Sequence, residues 1–198
     1  MSIGVTGPVL RLRLPREDDA PALLALAGDP EVTRWFSWGP YRREEEALAY
    51  LRRLPGQRER GEQLDLLVEH AEHGPIGITG LSEWSRRDRR AVVGSWLGRA
   101  YWGTGANREA KALVAHLAFG PLGLERLGAY TNVEHARSQA ALRRLGFQRE
   151  GVLRRWHRHG DRVFDVVIWS LLADEWRASP LAQVPARVEG ELPPAFRP

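Results

Sequence analysis

The stretch Ser95 to Asn107, SWLGRAYWGTGAN, combines what a bound anion needs. The residues before it read as a strand, Tyr101-Trp102-Gly103-Thr104-Gly105 as a short turn, and those after it as a helix through Phe119. A strand that turns directly into a helix points unpaired backbone N–H groups at one spot, and the helix dipole favours negative charge there. Gly103 and Gly105 carry no side chain, so a phosphate can approach the backbone closely. The chemistry suggested is pyrophosphate binding, although the same turn would serve simply to join strand to helix. It is too short for a P-loop and lacks the Gly-Lys-Ser/Thr ending. It is not the dinucleotide fingerprint either, which needs a parallel αβ repeat that is not evident. In the helix, Ala106, Ala110, Leu113, Val114 and Leu117 form an apolar stripe. Arg108 and Lys111, three residues apart, are expected on another face where a phosphate could reach them, or where they are simply solvated cations.

The elements that must hold this turn form an α/β pattern. Val9 to Leu14 alternates apolar and polar as a half-buried strand does. Pro15 and the acids Glu17, Asp18 and Asp19 open a helix through Leu26, and a second helix from about Arg42 is expected to stop before Pro55-Gly56. Strands follow at Leu64 to Glu69, Ile76 to Leu81 and Ala91 to Leu97, with a charged hairpin tip at Ser85 to Arg90. A fifth strand, Glu125 to Thr131, precedes a short helix, His135 to Leu145, closed by Gly146. Phe147 to Arg154 and Arg162 to Leu172 form a closing hairpin. Residues 1–178 are expected to be one domain with a mixed sheet, and 179–198 an extended or mobile Pro-rich tail.

Composition narrows the classes. Hydrophobic residues make up 43% and charged residues 27% of 198, ordinary for a globular domain. No stretch approaches the length that spans a bilayer, and the first residues lack a signal-type apolar segment, so a cytoplasmic protein without membrane contact is expected. The absence of cysteine removes disulfides, thiolate metal sites and a cysteine nucleophile together, and no metal is expected. Of the 29 Lys and Arg residues Lys111 is the one lysine, which leaves 28 arginines for a net charge of +4. These cations are scattered rather than massed, which argues against a DNA partner.

Taken in order, GSWLGRAYWGTGANREAKALVAHLAF, NVEHARSQAALRRLGFQREGVLR and FDVVIWSLLADEW resemble the GNAT superfamily of N-acetyltransferases. The nearest branch by resemblance is the ribosomal-protein N-acetyltransferase type, RimJ/RimL-like, over roughly Val9 to Trp176. The resemblance implies a GNAT-like α/β fold with a splayed mixed sheet flanked by helices. It implies acetyl-CoA as cosubstrate, its pantetheine arm between the strands at 91–97 and 125–131. The pyrophosphate would rest on the amides of Trp102, Gly103, Thr104, Gly105, Ala106 and Asn107. The chain departs from the family in three places. The family's turn often begins with Gln or Arg three residues before the first glycine, where Ala100 stands here. The branch often has Asn-x-x-Ser at the helix after the fifth strand, where His135 to Ser138 stands here. A family tyrosine that protonates the CoA thiolate is replaced by Leu142. Ser138 is then the donor to the thiolate that the resemblance suggests, or a first-turn serine bonded to backbone.

Chemistry of this type is direct attack of a neutral amine on the thioester. It needs a base for the ammonium, a donor to the carbonyl and an acid for the thiolate. An amide at Leu97 or Gly98 is the expected carbonyl donor. For the base, Glu83 comes first and Glu69 second, while His135 could act through a water. Trp35 and Trp38, with Phe36 and Tyr41, and also Trp84, are expected to wall the acceptor pocket, or to be core contacts. The acceptor is an amine: a protein N-terminus, a ribosomal protein included, or a small molecule. Dimerisation is common among similar proteins. A non-catalytic acyl-CoA-binding module and an RNA-associated protein are the competing readings, separated by turnover and by salt-dependent RNA affinity.

Overall fold

A computed structural model describes residues 3–198; the first two residues of the expected domain lie outside it. One mixed sheet runs through the molecule in the order β7-β8-β6-β5-β4-β3-β2-β1-β9. β1 (Gly4–Thr6) and β2 (Leu10–Arg13) form a hairpin, and β2 buries Leu10 and Leu12 while Arg11 faces solvent. β3 (Gln63–His70), β4 (Gly74–Ser85) and β5 (Arg90–Leu97) continue it as an antiparallel meander.

Among the described residues β6 (Arg126–Asn132) and β5 form the one parallel pair, and they do so briefly. Only Arg90–Arg126, Ala91–Leu127 and Val92–Gly128 are matched. Beyond them Val93–Leu97 of β5 and Ala129–Asn132 of β6 diverge, so the sheet opens into a V. β6 is held on its other side by β8 (Arg162–Leu172), which pairs with β7 (Gln148–His159).

α4 (Ala106–Phe119) covers one face of the sheet and buries Ala110, Leu113, Val114 and Leu117 against Leu64, Leu66, Val93 and Leu127. α1 (Ala20–Ala27) and α3 (Glu44–Glu59) cover the other, where Leu23, Leu51 and Leu54 meet Leu67 and Ile78. A single turn, α2 (Pro30–Thr33), follows α1, and α5 (Ala136–Arg144) follows β6. No helix among the described residues is long and apolar enough to cross a membrane.

Two expectations are corrected. α3 does not stop at Pro55 but carries it inside the helix and runs on to Glu59. A proline removes one donor, here the one that would meet the Leu51 carbonyl, and the burial of Leu51 and Leu54 keeps the helix together across that gap. The segment expected as an extended tail is docked. After α6 (Ala173–Ala178), Leu181 and Phe196 are fully buried and β9 (Arg187–Glu189) pairs with β1. Isolated anchors at irregular spacing show no period, so apolar burial there leaves no pattern in sequence.

Candidate active site

The V between β5 and β6 leads to the glycine turn. Gly103 and Gly105 take φ of 80° and 95°, and a Cβ at either would point into open space. The backbone conformation rather than crowding therefore calls for glycine, and the space is left for a ligand. Gly105 caps α4, and the first intrahelical bond is Glu109 N–H to its carbonyl. The amides of Gly103, Thr104, Gly105 and Asn107 find no acceptor among the described residues, while Ala106 N–H leans on the Thr104 hydroxyl at 3.4 Å.

β5 supplies a second set of free groups. Gly98 N–H is bonded to the Ile76 carbonyl, so it is not available to polarise a ligand, contrary to one of the two expectations for this position. Antiparallel pairing alternates, so Trp96 and Gly94 also bond to β4, while Val93, Ser95 and Leu97 direct their backbone groups into the V. Leu97 keeps its N–H free, and its carbonyl accepts from the Trp102 indole at 2.9 Å. Trp102 thus closes the end of the V with its ring. The guanidinium of Arg137, from the first turn of α5, stacks 3.6 Å over that ring and brings positive charge beside the turn. In the sequence Arg137 reads as one more surface arginine.

Arg108 is exposed near the turn. Lys111 is not: it is buried, and its Nζ donates to Ser95 Oγ instead of facing a phosphate. The reason is that α4 is enclosed through Ala110–Ala115, so the face expected to meet a phosphate, or else solvent, lies in the core.

α5 stands at the mouth of the V. His135 precedes it and stacks on Trp35, ring centroids 4.8 Å apart and 15° between planes. Burial, with Arg137 and Arg34 adding to it, pushes His135 down to about 4, so it is neutral and only weakly basic at pH 7. Ser138 is half-buried in the first turn, and its hydroxyl has no bonding partner among the described residues. Leu142 is buried core.

On the α3 face, Glu83 sits where β4 breaks register with β5, in a left-handed conformation with φ of 51°. A strained non-glycine position of this kind costs on the order of 1–3 kcal/mol and often marks a functional site. The kink turns its carboxylate over β5 to β6, where Tyr130 Oη donates to Oε2 at 3.1 Å. Burial and the Glu83 charge both raise the Tyr130 hydroxyl above its ordinary value. His157 meets Tyr130 edge-on at 5.9 Å.

Beside this pair lies a cleft of about 490 Å³, lined by Trp38, Tyr41, Tyr50, Arg53, Asp65 and Trp96 among others. Trp38 packs edge-on against Trp96 at 5.6 Å and tilts on Tyr41 at 5.4 Å. At its floor Asp65 accepts from Tyr50 Oη at 2.5 Å and Gln63 Nε2 at 2.8 Å, and burial raises its pKa. Trp84, expected on this wall, points to the other face and packs on Phe196 at 5.4 Å. The Glu83 kink between β4 proper and Trp84 upsets the alternation on which that expectation relied. Glu69 bonds Arg13 at 3.0 Å, away from the V, which leaves it a structural ion pair.

A model of the acetyltransferase (GNAT) domain matches residues 10–148. The chain belongs to this family. It is 31% identical over 172 residues to the uncharacterized N-acetyltransferase p20 of Bacillus licheniformis, covering 84% of this chain and 94% of that one. It is 27% identical over 164 residues to the uncharacterized N-acetyltransferase YoaA of Bacillus subtilis (strain 168), covering 82% and 93%. Among solved structures it resembles a probable GNAT acetyltransferase from Chromobacterium violaceum, with TM-score 0.79, 26% identity and 87% of each chain covered. The fold is also that of the microcin C7 self-immunity acetyltransferase MccE, solved with acetyl-CoA and AMP, with TM-score 0.75, 20% identity and coverage of 83% and 93%. This GNAT protein is an acetyl-CoA-dependent acetyltransferase.

Proposed function

We propose that the enzyme transfers the acetyl group of acetyl-CoA directly to a primary amine that enters through the aromatic cleft. The observation that carries this reading is the Glu83–Tyr130 pair, a carboxylate held across β5 beside the open V. A carboxylate there can take the proton of an incoming ammonium, and Tyr130 holds it in one orientation. Trp38, Trp96 and Tyr41 offer apolar walls to the acceptor's body, with Trp35 further along the same loop beside His135.

Acetyl-CoA suits the groups around the V. Free amides of Gly103, Thr104, Gly105 and Asn107, with Arg108 and Arg137 nearby, meet the pyrophosphate; Ala106 and Trp102 shape the turn. The pantetheine amides bond other backbone groups that β5 leaves free in the V, and Leu97 N–H is kept for polarising the thioester carbonyl. Ser138 donates a hydrogen bond to the sulfur as it leaves. The acceptor amine belongs to a protein N-terminus or a small molecule. A ribosomal protein is a specific form of the first, suggested by 30% identity over 100 residues, half of this chain and 55% of the other, to a protein of Bacillus subtilis (strain 168) with the name "Putative ribosomal N-acetyltransferase YdaF". Release of CoA thiol from acetyl-CoA in the presence of α-amino peptides and small amines tests this directly. Turnover with one class identifies the acceptor, and thioester consumption that no amine accelerates rejects it.

A further inference from the structure

The chain uses arginine at 28 of its 29 Lys and Arg positions, and the exception is Lys111. That exception is also the one buried basic residue among those described. An arginine stays charged in any protein environment, whereas a lysine can give up its proton when desolvated. The residue type therefore changes at the place where a cation that can cycle differs most from one that cannot.

Lys111 Nζ donates to Ser95 Oγ, and Ser95 Oγ shares a hydrogen bond of 2.6 Å with Thr79 Oγ1. Thr79 Oγ1 reaches the Gly94 carbonyl at 3.2 Å. Lys111 lies within the buried run Ala110–Ala115 of α4, and no charged group acts on its amine. Burial alone acts on Lys111 and pushes it down to about 7. Ser95 lies on the part of β5 that faces the V, two residues before Leu97 and so about 7 Å from it. Its backbone borders the thioester's channel while its hydroxyl reaches Lys111.

The reaction proposed above needs a proton at sulfur. Leu142 cannot supply one, and a serine hydroxyl alone only hydrogen-bonds, because it holds its proton far too tightly to yield it. Building on that reading, we propose that Lys111, acting through the Ser95 hydroxyl, supplies the proton taken up by the departing CoA thiolate. As the acceptor nitrogen bonds the carbonyl carbon, the C–S bond breaks and its electron pair moves to sulfur. The Ser95 hydroxyl swings from Thr79 to give its proton to sulfur and takes one from Lys111. The Lys111 amine is left neutral; Glu83 has passed the ammonium proton to solvent before the attack, it takes the second proton that nitrogen loses on becoming an amide, and solvent resets both groups. Ser95 touches the leaving sulfur; Lys111 acts behind it as a positioning and proton-storing residue.

Because the chain has one lysine, protein labelled with [ε-13C]lysine gives one side-chain signal. It is expected to titrate near neutral pH, about three units below an exposed lysine. In parallel, kcat is followed against pH for the wild type, Lys111→Met, Lys111→Gln and Ser95→Ala. The wild type should lose kcat as pH rises through the lysine midpoint, since the protonated form is the donor. Both Lys111 variants should bind acetyl-CoA with unchanged affinity, fall about 100-fold in kcat and lose that descending limb. A lysine signal that titrates near 10, or variants with the wild-type rate and pH profile, would overturn the assignment. A wild type that turns over no amine would instead reject the amine-acceptor reading, and the lysine titration is read independently of turnover.

Discussion

Tyr130 Oη donates to Glu83 Oε2 at 3.1 Å, although one residue belongs to β6 and the other to β4, with β5 between them. The contact exists because Glu83 adopts φ of 51° at a register break, which throws its side chain across the neighbouring strand. In the proposed reaction the pair marks the acceptor side of the V.

If Glu83 is the base, Glu83→Gln should lower kcat by about 10²-fold or more while acetyl-CoA affinity holds. Tyr130→Phe should give a smaller loss, since it removes orientation and leaves the carboxylate. Steady-state rates beside calorimetric titration separate these outcomes; an active Glu83→Gln enzyme would move the base elsewhere.

The docked C-terminal segment is expected to be part of the stable domain. Phe196 is fully buried against Trp84, so Phe196→Ala should cost about 3–5 kcal/mol, seen as a lower urea midpoint with little change in slope. A midpoint equal to wild type would mean that the segment adds nothing to stability.

Much of the scaffold was legible in sequence because it follows periodic rules. The alternation in β2, the apolar stripe of α4 and the glycine turn all appear where residue spacing puts them. What escaped depends on distant contacts. β9 is three residues long and recognisable only by its pairing with β1. Tyr130 looks like an ordinary strand aromatic until the Glu83 kink brings a carboxylate to it, and the same kink sends Trp84 to the opposite face. Lys111 is expected to reach a phosphate, or to be a solvated cation, because a helix with one apolar stripe has an exposed side; the enclosure of α4 through Ala110–Ala115 removes that side. Arg137 becomes visible only when α5 lays it on Trp102.

His135 gives a pH signature in stability. Its folded pKa, about 4, lies below the ordinary value of 6.5, so the unfolded chain binds the proton more readily. The folded state should therefore lose stability as pH falls from about 6.5 towards 4, with no further loss from this group below that window. His135→Gln should flatten that part of the curve in thermal melts taken at several pH values, and an unchanged slope would show that His135 is not its source.

The central claim, that the Gly103–Gly105 turn and the V beside it bind acetyl-CoA, is tested most directly by isothermal titration of the wild type beside a Gly103→Glu, Gly105→Glu double variant. Both positions open to space, so the variant adds negative charge and an unfavourable φ at the turn without crowding the core. The expected result is binding near micromolar for the wild type and none for a variant that still melts cooperatively. Equal binding by both proteins would contradict the claim and put the pyrophosphate elsewhere on the surface.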